Sequence, residues 1–148
     1  MRWQVGGPYG TKIMPEGILP STQRKVTSPY SERTRTLPPA SVPIWYDYTP
    51  GGNVRVTTGA TSRKARLIKK AGAVALVVQN EEPPYQYVTV EGSVVDATTP
   101  TPPDVSEAIA VRYLGDEGGK QFVQSMEGHE NVLFTIRPDR WLSADFSE

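Results

Sequence analysis

The sequence predicts a mainly β domain, built as a small closed or partly open antiparallel β-barrel with helices at its periphery. Three observations lead to this prediction. About five segments of the 148-residue chain either alternate between apolar and polar residues or are continuously apolar, as is typical of β-strands. Turns rich in Gly and Pro separate several of them. Helical segments lie between the strands, and closing such a sheet into a barrel would remove its exposed edges.

The barrel is predicted to begin with an antiparallel hairpin. Residues 42–48 are aromatic and β-rich, with Ile44, Tyr46 and Tyr48 on one face. Residues 49–53, Thr-Pro-Gly-Gly-Asn, are typical of a hairpin turn. Residues 54–58 then form the return strand.

A short helix of about eight residues is expected from Arg63, with Ser62 as its N-cap and Gly72 at its end. Leu67, Ile68 and Ala71 are its predicted buried side. The apolar run at residues 73–78 predicts a strand that is buried on both faces. Residues 85–95 alternate as a long strand, in which Gly92 indicates a bulge or a close approach.

The C-terminal part predicts two further helices and a last main strand. Asp104 or Ser106 would cap the first helix, and Gly115 would end it. The remaining segments are a helix at 120–126, a strand at 131–137, a turn at 138–140 and a short edge strand at 141–146. Residues 97–103 are interpreted as a Thr/Pro linker.

Residues 1–40 differ from residues 41–148, which we take as the barrel domain. They contain six Pro and four Gly, and their six Lys or Arg stand against two acidic residues. Neither a strand period nor a helix period lasts for more than a few positions. We therefore expect an irregular N-terminal segment.

Composition argues against several classes of function. The formal net charge is zero, so no overall attraction to nucleic acid or to a membrane surface is indicated. The chain has no Cys and one His, which gives no support to a metal site or a Ser-His-Asp triad. We find no apolar run long enough for a bilayer span and no signal peptide, and we expect a cytoplasmic protein.

Residues 57–66 contain a cluster of hydroxyl and basic side chains that could bind a ligand. Thr57 and Thr58 end a strand, Ser62 caps a helix, and Arg63, Lys64 and Arg66 follow in the first helical turn. Cations are disfavoured at the positive end of a helix dipole, so their clustering suggests a bound anion. A phosphate would accept from the backbone N–H groups, the hydroxyls and the basic side chains together. The alternative interpretation is a solvated basic helix face.

An ordered set of short motifs resembles a known family. The motifs are residues 43–46, 58–59, 62–67, 73–78, 87–92, 112–115, 118–119 and 137–141. In this order, over about residues 41–146, the chain is similar to the pyridoxamine 5′-phosphate oxidase-like split-barrel flavoproteins. It looks closest to the branch that uses the deazaflavin coenzyme F420. The order of the set carries the resemblance, because no single motif is diagnostic.

The resemblance implies an FMN-binding split barrel that forms a homodimer, with the cofactor in a groove between protomers. It implies coenzyme F420 as cofactor, with FMN as the close variant, and hydride transfer to or from a small organic substrate. The cofactor phosphate would be held by Thr57, Thr58, Ser62, Arg63 and Lys64. Trp45, Tyr46 and Tyr87 are interpreted as core or dimer-interface residues rather than as contacts to the ring. No catalytic residue is singled out; a proton would come from solvent, Tyr46, Tyr48 or Tyr87.

The N-terminal segment departs from the family pattern. Members usually begin with a short helix, an apolar first strand and an Asp-Gly-x-Pro turn, whereas residues 35–40 here read Arg-Thr-Leu-Pro-Pro-Ala. We therefore expect the first strand to be missing or altered. We hypothesise a divergent start or a shifted reading frame upstream of about residue 40, which reading the coding DNA in the other two frames would test. Loss of that strand would leave a gap in the barrel and compromise activity.

Two other classes of function stay open from the sequence. One is a non-catalytic barrel that binds flavin or another phosphorylated ligand. The other is a nucleic-acid-binding barrel that uses the basic helix, but residues 57–72 contain no aromatic side chain on which bases would stack.

Overall fold

The structure, a computed structural model, describes residues 5–6, 11–12, 25–27, 41–80 and 83–146. The elements along this part of the chain are β1 (Val5–Gly6), β2 (Thr11–Lys12), β3 (Lys25–Thr27), β4 (Ser41–Val42), β5 (Tyr46–Tyr48), β6 (Val54–Gly59), α1 (Arg63–Ala71), β7 (Ala73–Asn80), β8 (Gln86–Thr98), α2 (Pro103–Ser125) and β9 (Asn131–Asp145). The predicted mainly β architecture with peripheral helices is confirmed.

Seven of these strands form one antiparallel sheet in the order β4-β3-β7-β8-β9-β6-β5. β4 and β5 lie at opposite edges of this sheet, although Val42 and Tyr46 are only four residues apart in the chain. Four residues span at most about 14 Å, so the sheet has to curve until its two edges meet. The segment 41–48 therefore closes the barrel.

The N-terminal segment contributes to this closure. β3 lies between β4 and β7, with Val26 opposite Leu76, so a first strand is present in a short, three-residue form. β1 and β2 form a separate two-stranded hairpin. The rest of the prediction of an irregular segment at residues 1–40 lies outside the described residues.

The barrel core follows the two-residue period of its strands. Alternate residues point inward and are buried, including Val54 and Val56 of β6, Val88 and Val90 of β8, and Phe134 of β9. The predicted inward face of residues 42–48 is confirmed, since Ile44 and Tyr46 are buried in this core and Tyr48 packs against it.

Helix α1 packs on the barrel through a different and smaller set of buried residues than the sequence predicted. Ala65 and Ile68 are buried, whereas Leu67 and Ala71 are only half-buried. Positions three apart share one helix face, which places Ala65 and Ile68 together against the sheet. Gly72 ends the helix as expected, in the left-handed conformation with φ 65°, and its N–H donates to the Ile68 carbonyl.

Gly92 occupies a point of close approach between β8 and β9. A Cβ atom on this residue would lie 2.5 Å from the Arg137 carbonyl oxygen and 2.6 Å from Ile136 Cγ2. The pairing register shifts between Glu91 and Gly92, so the expected bulge is also present. Only a residue without a side chain fits here.

The predicted turn at residues 138–140 is wrong, and the strand predicted at 141–146 is the continuation of β9 rather than a separate edge strand. β9 continues through them as one strand that pairs with β8 along its length and with β6 over its first part. Gly92 lies opposite Pro138 and Glu91 lies opposite Arg140, so Asp139 is left over in the bulge. A bulge accommodates Pro138, because it does not require a ladder N–H from that residue.

Helix α2 also differs from its prediction. It begins at Pro103, and the N-cap residue Pro102 makes no side-chain cap bond, so neither Asp104 nor Ser106 is the cap. Proline at the first helical position has no N–H that would need a partner. Gly115 breaks the helix as predicted, with φ 75° and ψ 173°, but helix resumes at once rather than at Lys120.

A second apolar cluster seats α2 on the barrel. Val105 and Ile109 of α2 pack with Leu133 of β9, and Trp45 and Tyr113 cover them. Within the residues that are described, neither helix is long and apolar enough to cross a membrane.

Candidate functional site

The site begins at the turn that joins β6 to α1. Ser62 adopts an extended conformation, its N–H donates to the Gly59 carbonyl at 3.0 Å, and its Oγ accepts from the Ala65 N–H at 3.0 Å. The predicted N-cap is therefore confirmed. The N–H groups of Arg63 and Lys64, in the first turn, have no carbonyl partner within the helix.

A groove of about 320 Å³ opens beside this turn. Its polar side is formed by the end of β6 and the first turn of α1, through Thr57, Thr58, Gly59 and Lys64. The remaining lining residues come from the β4–β5 connection, the C-terminal end of α2 and the start of β9, and they are Pro43, Ile44, Trp45, Phe122, Met126 and Asn131. The groove therefore combines a polar end with an apolar wall.

Lys64 carries the charge of the groove. Its Nζ donates to the Pro43 carbonyl oxygen at 3.2 Å. Burial lowers the pKa of Lys64 below its usual range, because desolvation penalises the ammonium. None of the ion pairs among the described residues involves Lys64. The groove thus contains a half-buried cation whose charge is balanced by no carboxylate in the described part of the chain.

The hydroxyls beside Lys64 are held by side-chain contacts. Thr57 Oγ1 lies 3.0 Å from Thr101 Oγ1, and Thr58 Oγ1 lies 3.4 Å from Ser62 Oγ. Thr57, Thr58 and Lys64, three of the five residues predicted to hold a phosphate, line the groove together. Ser62 acts behind them, through the helix cap and its contact to Thr58.

Arg63 lies apart from the other predicted site residues. Its side chain is exposed and does not line the groove. The same is true of Arg66, Lys69 and Lys70 on the outer surface of α1. One basic residue of the cluster, Lys64, therefore faces the groove, because the helix turns its neighbours to other directions.

The apolar wall of the groove is aromatic. The Trp45 indole stacks on the Tyr113 ring with centroids 5.0 Å apart, and its centroid lies 4.9 Å from that of Phe122. Phe122 remains 38% exposed, and Met126, the C-cap residue of α2, also lines the groove. Such a wall can pack against a planar ring.

The structure changes the interpretation of the tyrosines that the sequence named as proton donors. Tyr46 is buried in the core, with the Arg112 guanidinium 5.2 Å from its ring centroid. Tyr48 packs with its ring edge against Trp141, and Tyr87 is exposed beside Phe146. None of the three lines the groove.

Sequence reasoning did not assign several residues of the groove and its support to the site: Pro43, Ile44, Trp45, Phe122, Met126, Asn131 and Thr101. Thr101 is 7% exposed although it lies in a stretch that reads as a Thr/Pro linker. No local pattern distinguishes it, since its burial depends on contacts with β6 and β9.

Comparisons with solved structures identify the fold. An F420 reductase is 23% identical with a TM-score of 0.61, covering 87% of this chain and 98% of that one. A conserved hypothetical protein from Mycobacterium tuberculosis is 22% identical with a TM-score of 0.62, covering 90% of this chain and 86% of that one. A candidate pyridoxamine 5′-phosphate oxidase from Listeria innocua is 13% identical with a TM-score of 0.58, covering 86% and 90%.

Sequence comparisons add no closer relationship. No protein-family profile matches the chain, and a search of curated proteins found no match. The structural likeness nevertheless extends over nearly the whole length of both chains. The chain therefore has the pyridoxamine 5′-phosphate oxidase-like split-barrel fold, as the sequence resemblance predicted.

Proposed function

We propose that this protein binds a phosphorylated deazaflavin, coenzyme F420, with FMN as the close variant, in the groove between β6, α1 and α2. The half-buried Lys64 ammonium supports this proposal most directly, because it has no carboxylate partner among the described residues. A cofactor phosphate would supply the missing negative charge. Thr57 and Thr58, beside it, would donate hydroxyl hydrogen bonds to the same group.

The rest of the groove suits the other end of such a cofactor. Trp45, Phe122 and Met126 present apolar and aromatic surface next to the polar end. A flavin ring with its phosphate-bearing chain combines these two chemistries in one molecule. The volume of about 320 Å³ lies at the small end of the range for ligand pockets, so this groove encloses part of the cofactor. We propose that a second copy of the chain, in a homodimer, covers the remainder.

The proposed reaction is hydride transfer between this cofactor and a small organic substrate. The cofactor supplies the hydride chemistry when it is bound. The protein binds the phosphate through Lys64 and the two threonines, orients the ring and limits its contact with water. Among the described lining residues there is no carboxyl, imidazole or phenol group, and Lys64 is assigned to the phosphate, so a substrate proton would come from solvent.

The composition of the described groove lining is also compatible with a second function, cofactor binding without catalysis. The lining residues that the structure describes include no acid or base group other than Lys64, and such a groove would also suit a protein that binds the cofactor and does not turn it over. The two proposals share the binding site. They differ in whether the ring's reactive face is open to a substrate.

Cofactor titration tests both proposals. The purified protein is titrated with F420 and with FMN, and binding is followed by fluorescence. We expect saturable binding of F420 and turnover when an F420H2-regenerating system and a panel of small oxidants are supplied. Binding without turnover would support the non-catalytic proposal. If neither cofactor binds, both proposals are wrong.

A further inference from the structure

A second hydroxyl layer lies behind the polar end of the groove. Thr101 precedes α2 and is absent from the groove lining, yet its Oγ1 lies 3.0 Å from Thr57 Oγ1. Thr101 is 7% exposed, so water competes little for its hydroxyl. Its backbone N–H donates to the Asn131 carbonyl at 2.9 Å, which holds it at the start of β9. Thr101 is thus a buried polar side chain anchored at a defined position behind Thr57.

The chemistry of two hydroxyls decides the direction of the hydrogen bond between them. Each hydroxyl has one proton to donate and can accept from other donors. If Thr57 donated its proton to Thr101, it would have none left for an anion in the groove. When an anion accepts from Thr57, the proton between the two threonines has to come from Thr101. Anion binding therefore selects one orientation of the pair.

We infer that Thr101 is a positioning residue for the phosphate end of the cofactor, donating to Thr57 so that the Thr57 hydroxyl is directed at the anion. This inference rests on the proposed function, because it requires a phosphate in the groove. It adds a residue from a different segment, 44 positions along the chain, to the strand-turn-helix segment that the sequence indicated. Thr101 acts through Thr57 and does not itself contact the ligand.

The test compares ligands with and without the phosphate. FMN and riboflavin share the ring and the ribityl chain and differ in the phosphate. The dissociation constant of riboflavin divided by that of FMN therefore reports the phosphate contribution. In Thr101→Val, which keeps the volume of the side chain, we expect this ratio to fall by about fivefold. Riboflavin affinity should stay the same, and Thr101→Ser should restore the preference for FMN.

Two controls separate positioning from loss of structure. Thr98→Val removes an exposed hydroxyl that bonds to Asp96, and it should leave the ratio unchanged. In a Thr57→Val background, adding Thr101→Val should have no further effect on the ratio. The Thr57 hydroxyl, through which Thr101 would act on the phosphate, is already absent in that background. If Thr101→Val does not fold, Thr101→Ala serves as the second variant.

The possible outcomes distinguish the role inferred for Thr101 from the proposed cofactor-binding function. If the wild-type protein prefers FMN and folded Thr101→Val prefers it equally, the inference about Thr101 is wrong and the proposed function stands. An equal loss of FMN and riboflavin affinity would show a purely structural role and would also overturn the inference. If the wild type does not distinguish FMN from riboflavin, the phosphate assignment fails, and the inference fails with it.

Discussion

Lys64 Nζ donates a hydrogen bond to the Pro43 carbonyl oxygen at 3.2 Å, which joins the first turn of α1 to the connection between β4 and β5. This connection is the segment that closes the barrel. The cation of the proposed phosphate site is therefore held by the same stretch of chain that brings the sheet edges together. The proposed ligand site at Lys64 and the closure of the barrel therefore depend on the same connection between β4 and β5.

The phosphate assignment predicts a large effect of removing Lys64 and Ser62 together. Lys64→Ala deletes the charge, and Ser62→Ala deletes the hydroxyl that caps α1 and contacts Thr58. We expect the double variant to bind cofactor about 2–4 kcal/mol more weakly, because it loses the charge-assisted hydrogen bond from Lys64 and the Ser62 contact that holds the Thr58 hydroxyl. Fluorescence titration measures the dissociation constant.

The matched control is Lys69→Ala, which removes an exposed cation from the last turn of the same helix. It should leave cofactor affinity within error of the wild type. Loss of the cap alone costs about 1 kcal/mol of stability, so circular dichroism has to show that the double variant is folded at the temperature used. Unchanged affinity in a folded double variant would remove the phosphate assignment.

The lowered pKa of Lys64 predicts a pH dependence of stability. Burial makes the folded-state pKa lower than the unfolded-state value of about 10.4. Between the two values the unfolded chain binds more protons, so the free energy of unfolding rises with pH in that window. The desolvation penalty is fully present at lower pH and disappears as Lys64 loses its proton.

This contribution is isolated by comparing the wild type with Lys64→Gln in urea unfolding from about pH 8 to about pH 10. We expect the wild type to gain stability relative to the variant as the pH rises. Lys69→Gln, on the exposed side of α1, is the matched variant for removal of a lysine from this helix. Parallel pH profiles for the wild type and Lys64→Gln would contradict the desolvation of Lys64.

The close approach at Gly92 predicts that Gly92→Ala is strongly destabilising. The new Cβ would lie 2.5 Å from the Arg137 carbonyl oxygen, a backbone atom that cannot move without disturbing the pairing of β8 and β9. Overpacking of this kind costs about 1–3 kcal/mol. Thermal or urea unfolding measures the loss.

Gly59→Ala is the comparison for this variant in the unfolding measurement. A Cβ at residue 59 would meet only Ser62 Cβ, at an ordinary 3.9 Å. We expect it to be tolerated within about 1 kcal/mol, because the space is available and the substitution lies at the end of a strand. Equal losses for the two glycine variants would argue against the steric explanation at Gly92.

The hydrogen bond from the Tyr46 N–H to the Tyr113 hydroxyl, at 3.0 Å, predicts a moderate effect of Tyr113→Phe. The substitution keeps the ring that stacks on Trp45 and removes the acceptor between α2 and β5. We expect a loss of about 1 kcal/mol in the free energy of unfolding. Tyr85→Phe, at a residue that is 58% exposed, should be neutral. A neutral Tyr113→Phe would show that this contact does not stabilise the docking of α2.

Local chemistry made much of the fold predictable. The hairpin between β5 and β6, the Ser62 cap, the Gly72 end of α1 and the close approach at Gly92 each depend on a few neighbouring residues. The errors have local causes as well. Pro138 reads as a turn, but a bulge accommodates it inside β9, and Asp104 reads as a cap, but Pro103 opens α2 without one.

The sequence by itself determined a mainly β barrel, the position of the turn before α1, and the residue types that would bind a phosphate there. Only the tertiary structure decided which of those residues share a groove. It places Lys64 in the groove and Arg63 outside it, and it sets Thr101 behind Thr57. It also brings Phe122 of α2 and the C-cap residue Met126 into the lining of the same groove. The physical reason is that turns and caps form from adjacent residues, whereas burial and facing contacts depend on which distant segments the closed barrel brings together.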